Sequence, residues 1–147
     1  MYRMLSILTL FILWNALPAH ACSCGGGKIK GEFDIKSWVR NFNGAVFTGK
    51  VDRIQKVRIK EEGQVFHQFK VTFTVDRSWN GINGKQATVF TGAGCCDCGF
   101  HFVKGERYYV VAHSLQGKLK TGICSPTSRL DQVADPRRYL GEGKVPE

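Results

Sequence analysis

The sequence predicts a mainly β domain: a five-stranded Greek-key barrel of the OB type with a flanking helix near each end. Three observations carry that expectation. Five segments have the alternation and the β-branched or aromatic content of strands, and Gly- and Asn-containing turns separate them. The first segment changes hydrophobic phase partway along, as bent barrel strands do. Short amphipathic or helix-like stretches lie before and after the strands. A β-sandwich, the architectural alternative, would want about seven strands.

The elements follow in order. Ile35, Trp38, Val39 and Phe42 fall at i, i+3, i+4 and i+7, with Asp34 placed to cap and Gly44 to stop. This spacing predicts an amphipathic helix of about two and a half turns. In AVFTGKVDRIQKVRIK, Phe47 and Val51 share one parity, Ile54 takes the other, and Val57 and Ile59 return to the first. A bend or bulge is therefore expected near Arg53. EEG makes a turn. VFHQFKVTFTVDRSW alternates, with Val65, Phe69, Val71, Phe73 and Val75 expected inward and Gln68, Lys70, Thr72, Thr74 and Asp76 outward.

NGING, residues 80–84, is the strongest turn signal in the chain. KQATVFTG reads as a short strand and AGCCDCG as a cysteine-rich loop. ERYYVVAHS and GKLKTGIC are two further strands, joined by a turn at Gln116-Gly117. SRLDQVADPRRYLG reads as a broken helix, stopped or kinked before Pro136 because the residue ahead of proline disfavours helical backbone. The domain is expected to span residues 22–140, with residues 141–147 a flexible tail.

Residues 1–21 read as an export signal. Arg3 supplies the positive n-region, and residues 4–17 are apolar except for Ser6, Thr9 and Asn15. Pro18 then breaks the helix, and Ala19-His20-Ala21 fits the small-x-small cleavage rule. The apolar run is shorter than the roughly 20 residues that a membrane span needs. A lipoprotein signal also ends just before a cysteine, but Ala19 and His20 fit its pattern poorly. Ordinary cleavage after Ala21 is expected, giving a secreted or periplasmic product that begins at Cys22; lipid anchorage through Cys22 is the alternative. What remains is long enough to bury roughly two thirds of its unfolded surface.

The chain carries 21 basic and 12 acidic side chains, a formal charge of +9 that falls by one when Arg3 leaves with the signal. Such a field attracts polyanions, so an anionic polysaccharide or a membrane surface is one expected class of partner. Lys50, Arg53, Lys56, Arg58 and Lys60 are strung along the first strand. Phe66, Phe69 and Phe73 beside these cations imitate a single-stranded nucleic-acid platform. However, Phe69 and Phe73 share the inward parity, and export separates the product from nucleic acid. No nucleic-acid partner is expected.

No GxSxG elbow, HExxH, P-loop or paired-histidine metal spacing is present, so neither an enzyme nor a bound cofactor is expected. His67 and His113 fall in strands, and His101 lies beside the cysteine loop. Six cysteines, Cys22, Cys24, Cys95, Cys96, Cys98 and Cys124, survive signal cleavage. An even number in an exported chain reads as a disulfide framework, with fifteen possible pairings.

Several stretches then form a recognisable set: Cys22-Ser23-Cys24 at the processed end, AVFTGKV, FKVTFTVDRSWNG, VFTG before the cysteine loop, CGFHFVKGERYYVVA and LKTGICSPTSRL. Together they resemble the netrin-like domain of the tissue inhibitors of metalloproteinases, most closely its single-domain bacterial relatives. The resemblance covers residues 22 to about 140. It rests on C-x-C at a cleavage site, followed at long range by C-G-x-x-F-x-x-G-x-x-Y and C-S-x-T.

The resemblance implies an OB barrel with disulfides Cys22–Cys98 and Cys24–Cys124. It also implies that the freed amine and carbonyl of Cys22 chelate the catalytic zinc of a target metalloproteinase, with the Ser23 side chain entering the adjoining pocket. A catalytic zinc keeps an open position that such a chelator can take. The chain departs from the animal members in having Gly25-Gly26-Gly27 where they carry an apolar residue and proline. The third family disulfide and the second domain have no counterpart. Cys95 and Cys96 are additional, and either pair with each other or leave one to bridge to a partner molecule.

Overall fold

A computed structural model describes residues 22, 24–25, 33–61, 63–94 and 97–147. The signal expected at residues 1–21, together with Ser23, Gly26, Gly27, Cys95 and Cys96, lies outside them. The described elements are α1 (Ile35–Asn41), β1 (Gly44–Glu61), β2 (Gln64–Asn80), β3 (Gln86–Gly92), β4 (Arg107–Leu115), β5 (Lys118–Lys120) and β6 (Ser128–Arg129). A 3-10 turn (Leu130–Gln132) and α2 (Arg137–Leu140) complete them.

The chain is mainly β, and five strands close into a ring. β1 pairs antiparallel with β2, β2 with β3, and β4 with both β5 and β1, while β3 and β5 run parallel. β6 adds a two-residue antiparallel pairing to β4. Closure requires β1 to bend, and its register against β2 shifts at Val46/Phe47, Thr48/Gly49 and Val51/Arg53. The extra residue is Trp79 and Asp76 of β2 at the first two shifts and Asp52 of β1 at the third, and each re-aims the strand that carries it and increases its local twist. The bulge expected near Arg53 is the last of the three.

Two apolar clusters sit on opposite faces of β1 and β4. Inside the ring lie Phe47, Val51, Val71, Phe73, Val89, Phe102, Tyr108 and Val110. Phe73 sits between Phe47 and Phe102 in edge-on contacts at 5.4 and 5.3 Å. On the outer face, Val46, Tyr109 and Val111 pack with Val39 of α1 and Leu140 of α2. Both faces of AVF and YYVVA are therefore covered, which accounts for their lack of polar alternation.

α1 starts where expected, with Asp34 Oδ1 accepting from the amides of Lys36 and Ser37 at 3.0 and 3.2 Å. It ends at Asn41, one turn short of Gly44, which instead opens β1 with its backbone tight against Ala112. Val65, expected inward, is 42% exposed, because the end of the β1–β2 hairpin extends past the ring. The last predicted strand is only three residues long, and the predicted closing helix begins with β6 and a 3-10 turn. The break expected before Pro136 is present, since the 3-10 turn ends at Gln132 and a separate helix begins after the proline. Pro136 itself has a second role there. It occupies the N-cap of α2, where its missing N–H costs nothing.

The tail expected to be flexible is held at its middle. Ser78 and Lys144 exchange backbone hydrogen bonds at 2.8 and 2.7 Å, and Trp79 Nε1 donates to Gly141 O at 2.8 Å.

Candidate functional site

The site is built where two loops from one end of the ring meet. β3 ends at Gly92, and the loop after it is shaped by Asp97, whose Oδ2 accepts from the Gly94 amide at 2.7 Å. Cys98 adopts a left-handed φ of 52°, and the chain is recaptured when the Phe100 amide donates to Thr91 Oγ1 at 2.7 Å. The turn after β5 lies against this loop: the Ile123 amide donates to Cys98 O at 2.9 Å. Backbone approach here is close. A Cβ on Gly99 would sit 2.2 Å from Gly92 O, and one on Gly122 would sit 2.6 Å from Cys98 O. Glycine is the residue that permits such contact.

These loops present Cys98 and Cys124, and each holds one cysteine of the N-terminal segment. The structure pairs Cys22 with Cys98 and Cys24 with Cys124, with Cα–Cα distances of 5.7 and 5.2 Å. They are the two pairs that the resemblance implies. Each bond closes a long loop, its partners 76 and 100 positions apart in the sequence. Residues 22 and 24 are therefore fastened at two points, while Cys24 and Gly25 remain exposed. Beside them runs a groove of about 570 Å³ lined in part by Asp97, His113, Leu115, Lys120 and Ser125.

The loop that carries Cys124 is anchored by hydroxyls. Thr121 Oγ1 lies 2.9 Å from Val111 O, 2.6 Å from Ser125 Oγ and 2.9 Å from Thr127 Oγ1. The Val111 amide donates to Thr127 Oγ1 at 3.0 Å. The C-S-x-T motif contained Ser125 and Thr127, but the spacing gave no sign that Thr127 bonds β4 or that Ser125 bonds Thr121. Thr121 and Asp97 carried no signal beyond their types.

The histidines do not converge. His67 is exposed on the β1–β2 hairpin, His101 is exposed, and the His113 ring lies 4.6 Å from that of Phe42. Among the described residues, no group of three or more His, Cys, Asp or Glu side chains could hold a metal ion. The aromatics considered for base stacking separate as their parity suggested: Phe73 is fully buried and Phe69 partly so, and only Phe66 is exposed.

A second cleft, about 450 Å³, lies on the outer face among Arg77, Arg107, Arg137, Trp79 and Leu130. Its guanidiniums are already engaged. Arg107 reaches both oxygens of Asp76 within 2.6 Å, and the resulting hydrogen bond and charge raise its pKa. Arg137 binds Asp135 through two nitrogens, holding that carboxyl down at about 2. Arg77 meets Glu142. The positive charge of this cleft is therefore largely answered within the chain.

No protein-family model matches this chain, and a search of the curated proteins finds no match. The two disulfides point to an oxidising setting, extracellular or periplasmic. Among the described residues, no helix is long and apolar enough to cross a membrane.

Proposed function

We propose that this protein is a secreted, netrin-like inhibitor of a zinc metalloproteinase, with the ring of strands an OB-type Greek-key barrel. The inhibitory group is the N-terminal residue left by cleavage after Ala21. Its amine nitrogen and carbonyl oxygen chelate the catalytic zinc of the target, and the Ser23 side chain enters the neighbouring pocket. The observation that carries this reading is the pair of bonds Cys22–Cys98 and Cys24–Cys124, which fasten residues 22 and 24 to two abutting loops. A chelator held in this way loses little conformational freedom on binding, which favours affinity. The metal belongs to the target, and the inhibitor supplies only backbone ligands.

The test is inhibition of a panel of zinc endopeptidases by three forms of the processed protein: native, extended by one alanine ahead of Cys22, and acetylated at the N-terminus. Both modifications replace the amine with an amide nitrogen, a poor zinc ligand, and leave the disulfides in place. Inhibition should fall by several orders of magnitude for both, with circular dichroism unchanged. Equal inhibition by all three forms, or none by the native form against any enzyme, would overturn the proposal. Because a neutral amine of reference pKa about 8 is required, inhibition should also weaken as pH falls below that value.

A further inference from the structure

We propose that the projecting β1–β2 hairpin is a docking arm for bilayer surfaces rich in anionic phospholipid headgroups. Among the described residues, β1 beyond Val51 has no further strand on its second edge, and β2 has none before Gln68. The last four residue pairs, Arg58↔His67 to Glu61↔Gln64, therefore extend past β3. At about 3.3 Å per residue, that is an arm of roughly 13 Å.

The register sorts its side chains onto two faces. Lys56, Arg58 and Lys60 share one face with their cross-strand partners Phe69, His67 and Val65. Val57, Ile59 and Phe66 share the other. The separation follows from the shift at Val51/Arg53. After it, Val57 and Ile59 keep the sequence parity of Phe47 but face away from the ring interior, where Ile54 now packs.

Three features select the partner. Residues 53–70 hold five basic side chains against two acidic ones, Glu61 and Glu62. Lys56, Arg58 and Lys60 are exposed, and among the described residues no carboxylate pairs with them. Phe66 and Val65 are 44% and 42% exposed at the same end.

A polysaccharide would use the cations and leave Phe66 idle. A bilayer interface uses both, because an apolar face enters the headgroup boundary while long basic chains reach the phosphates. The arm is remote in sequence from residues 22–24, and it functions whether or not the N-terminus inhibits a protease.

The experiment is co-sedimentation of the processed, disulfide-bonded protein with vesicles of phosphatidylcholine alone or with about 30% phosphatidylglycerol, in roughly 0.1 M salt. Binding is expected only to the anionic vesicles. The variant Lys56→Gln/Arg58→Gln/Lys60→Gln should weaken it on the order of 100-fold, given the worth of each basic residue at such a surface. Lys85→Gln/Lys104→Gln/Lys144→Gln removes the same charge from other exposed positions and should weaken it less than about tenfold.

Phe66→Ser should cost about tenfold more, and the fluorescence of Phe66→Trp should shift to the blue on anionic vesicles only. Equal losses from the two triple variants would overturn the proposal, as would no binding by the native arm. Full vesicle binding by Phe66→Ser would also overturn it and would favour a polyanion site, the reading that retention on a sulfated polysaccharide would then support. Acetylated protein that no longer inhibits should bind vesicles as before, which separates this inference from the proposed inhibition.

Discussion

The hydroxyl oxygens of Thr121 and Thr127 lie 2.9 Å apart, and each lies within hydrogen-bond reach of Val111 O, at 2.9 and 3.1 Å. They stand on either side of Cys124 in the chain, so the loop that carries this cysteine is fixed to the central strand β4. The attachment point of Cys24 is thus fixed from the interior of the domain. Thr121 and Thr127 are themselves buried, at 9% and 6% exposure.

Thr127→Val should be destabilising by about 1–3 kcal/mol, because it leaves the buried Val111 amide without its acceptor. Thr127→Ser keeps the hydroxyl and should recover most of the loss. Urea denaturation midpoints measure both. Equal midpoints for the valine variant and the native protein would show that the hydroxyl cluster does not hold the loop.

Gly99→Ala should be destabilising by about 1–3 kcal/mol, since its Cβ would meet the Gly92 carbonyl oxygen at 2.2 Å and the strand end cannot yield as a side chain would. The adjacent Cys98 would be displaced with it. The proposed protease inhibition should therefore fall, in the folded variant, more than its stability alone accounts for. Gly105→Ala, at a φ of +87° but with no atom near the added carbon, separates backbone strain from collision. If Gly99→Ala melts no lower than the native protein, the close packing of these loops is wrong.

Removing Cys24–Cys124 with the pair Cys24→Ala/Cys124→Ala should lower stability by about 4 kcal/mol, from the length of the loop it closes, with strain and residual unfolded structure reducing that figure. Non-reduced peptide mapping of the native protein should recover Cys22 linked to Cys98 and Cys24 linked to Cys124. A Cys22–Cys24 peptide, or a free thiol at either position, would remove the fixed edge on which the proposed inhibition rests.

Alkaline titration should show one tyrosine ionising late. Burial, and to a lesser degree the nearby Tyr139, pushes Tyr109 up to about 12 from an ordinary value of 10.0. The neutral phenol is the form that the folded state favours. Its contribution is complete below pH about 10 and is lost as pH rises toward 12. Ultraviolet difference titration of native protein against Tyr109→Phe should isolate that phase, and a phase centred near 10 would show that the outer layer of α1 and α2 does not seal the ring.

The local pattern carried much of the fold. Asp34 announced the start of α1 because capping is a contact within one turn, and the phase change after Val51 announced a bulge because strand alternation is a two-residue rule. Features that depend on distant partners were hidden. Nothing near residue 144 in the sequence specifies Ser78 as its partner, so the tail read as free.

The sequence by itself determined the mainly β character, the strand order along the chain, the six cysteines and their spacing, and the excess of positive charge. Spacing left fifteen pairings of those cysteines open, and the two candidate bonds came from resemblance. Only the tertiary structure decided that the loops bearing Cys98 and Cys124 abut, that Thr121 and Thr127 grip Val111 between them, and that the end of the β1–β2 hairpin stands clear of the ring. The physical reason is range. Alternation, capping and turn chemistry act over a few residues, whereas ring closure brings together groups 76 and 100 residues apart through burial, which has no sequence period of its own.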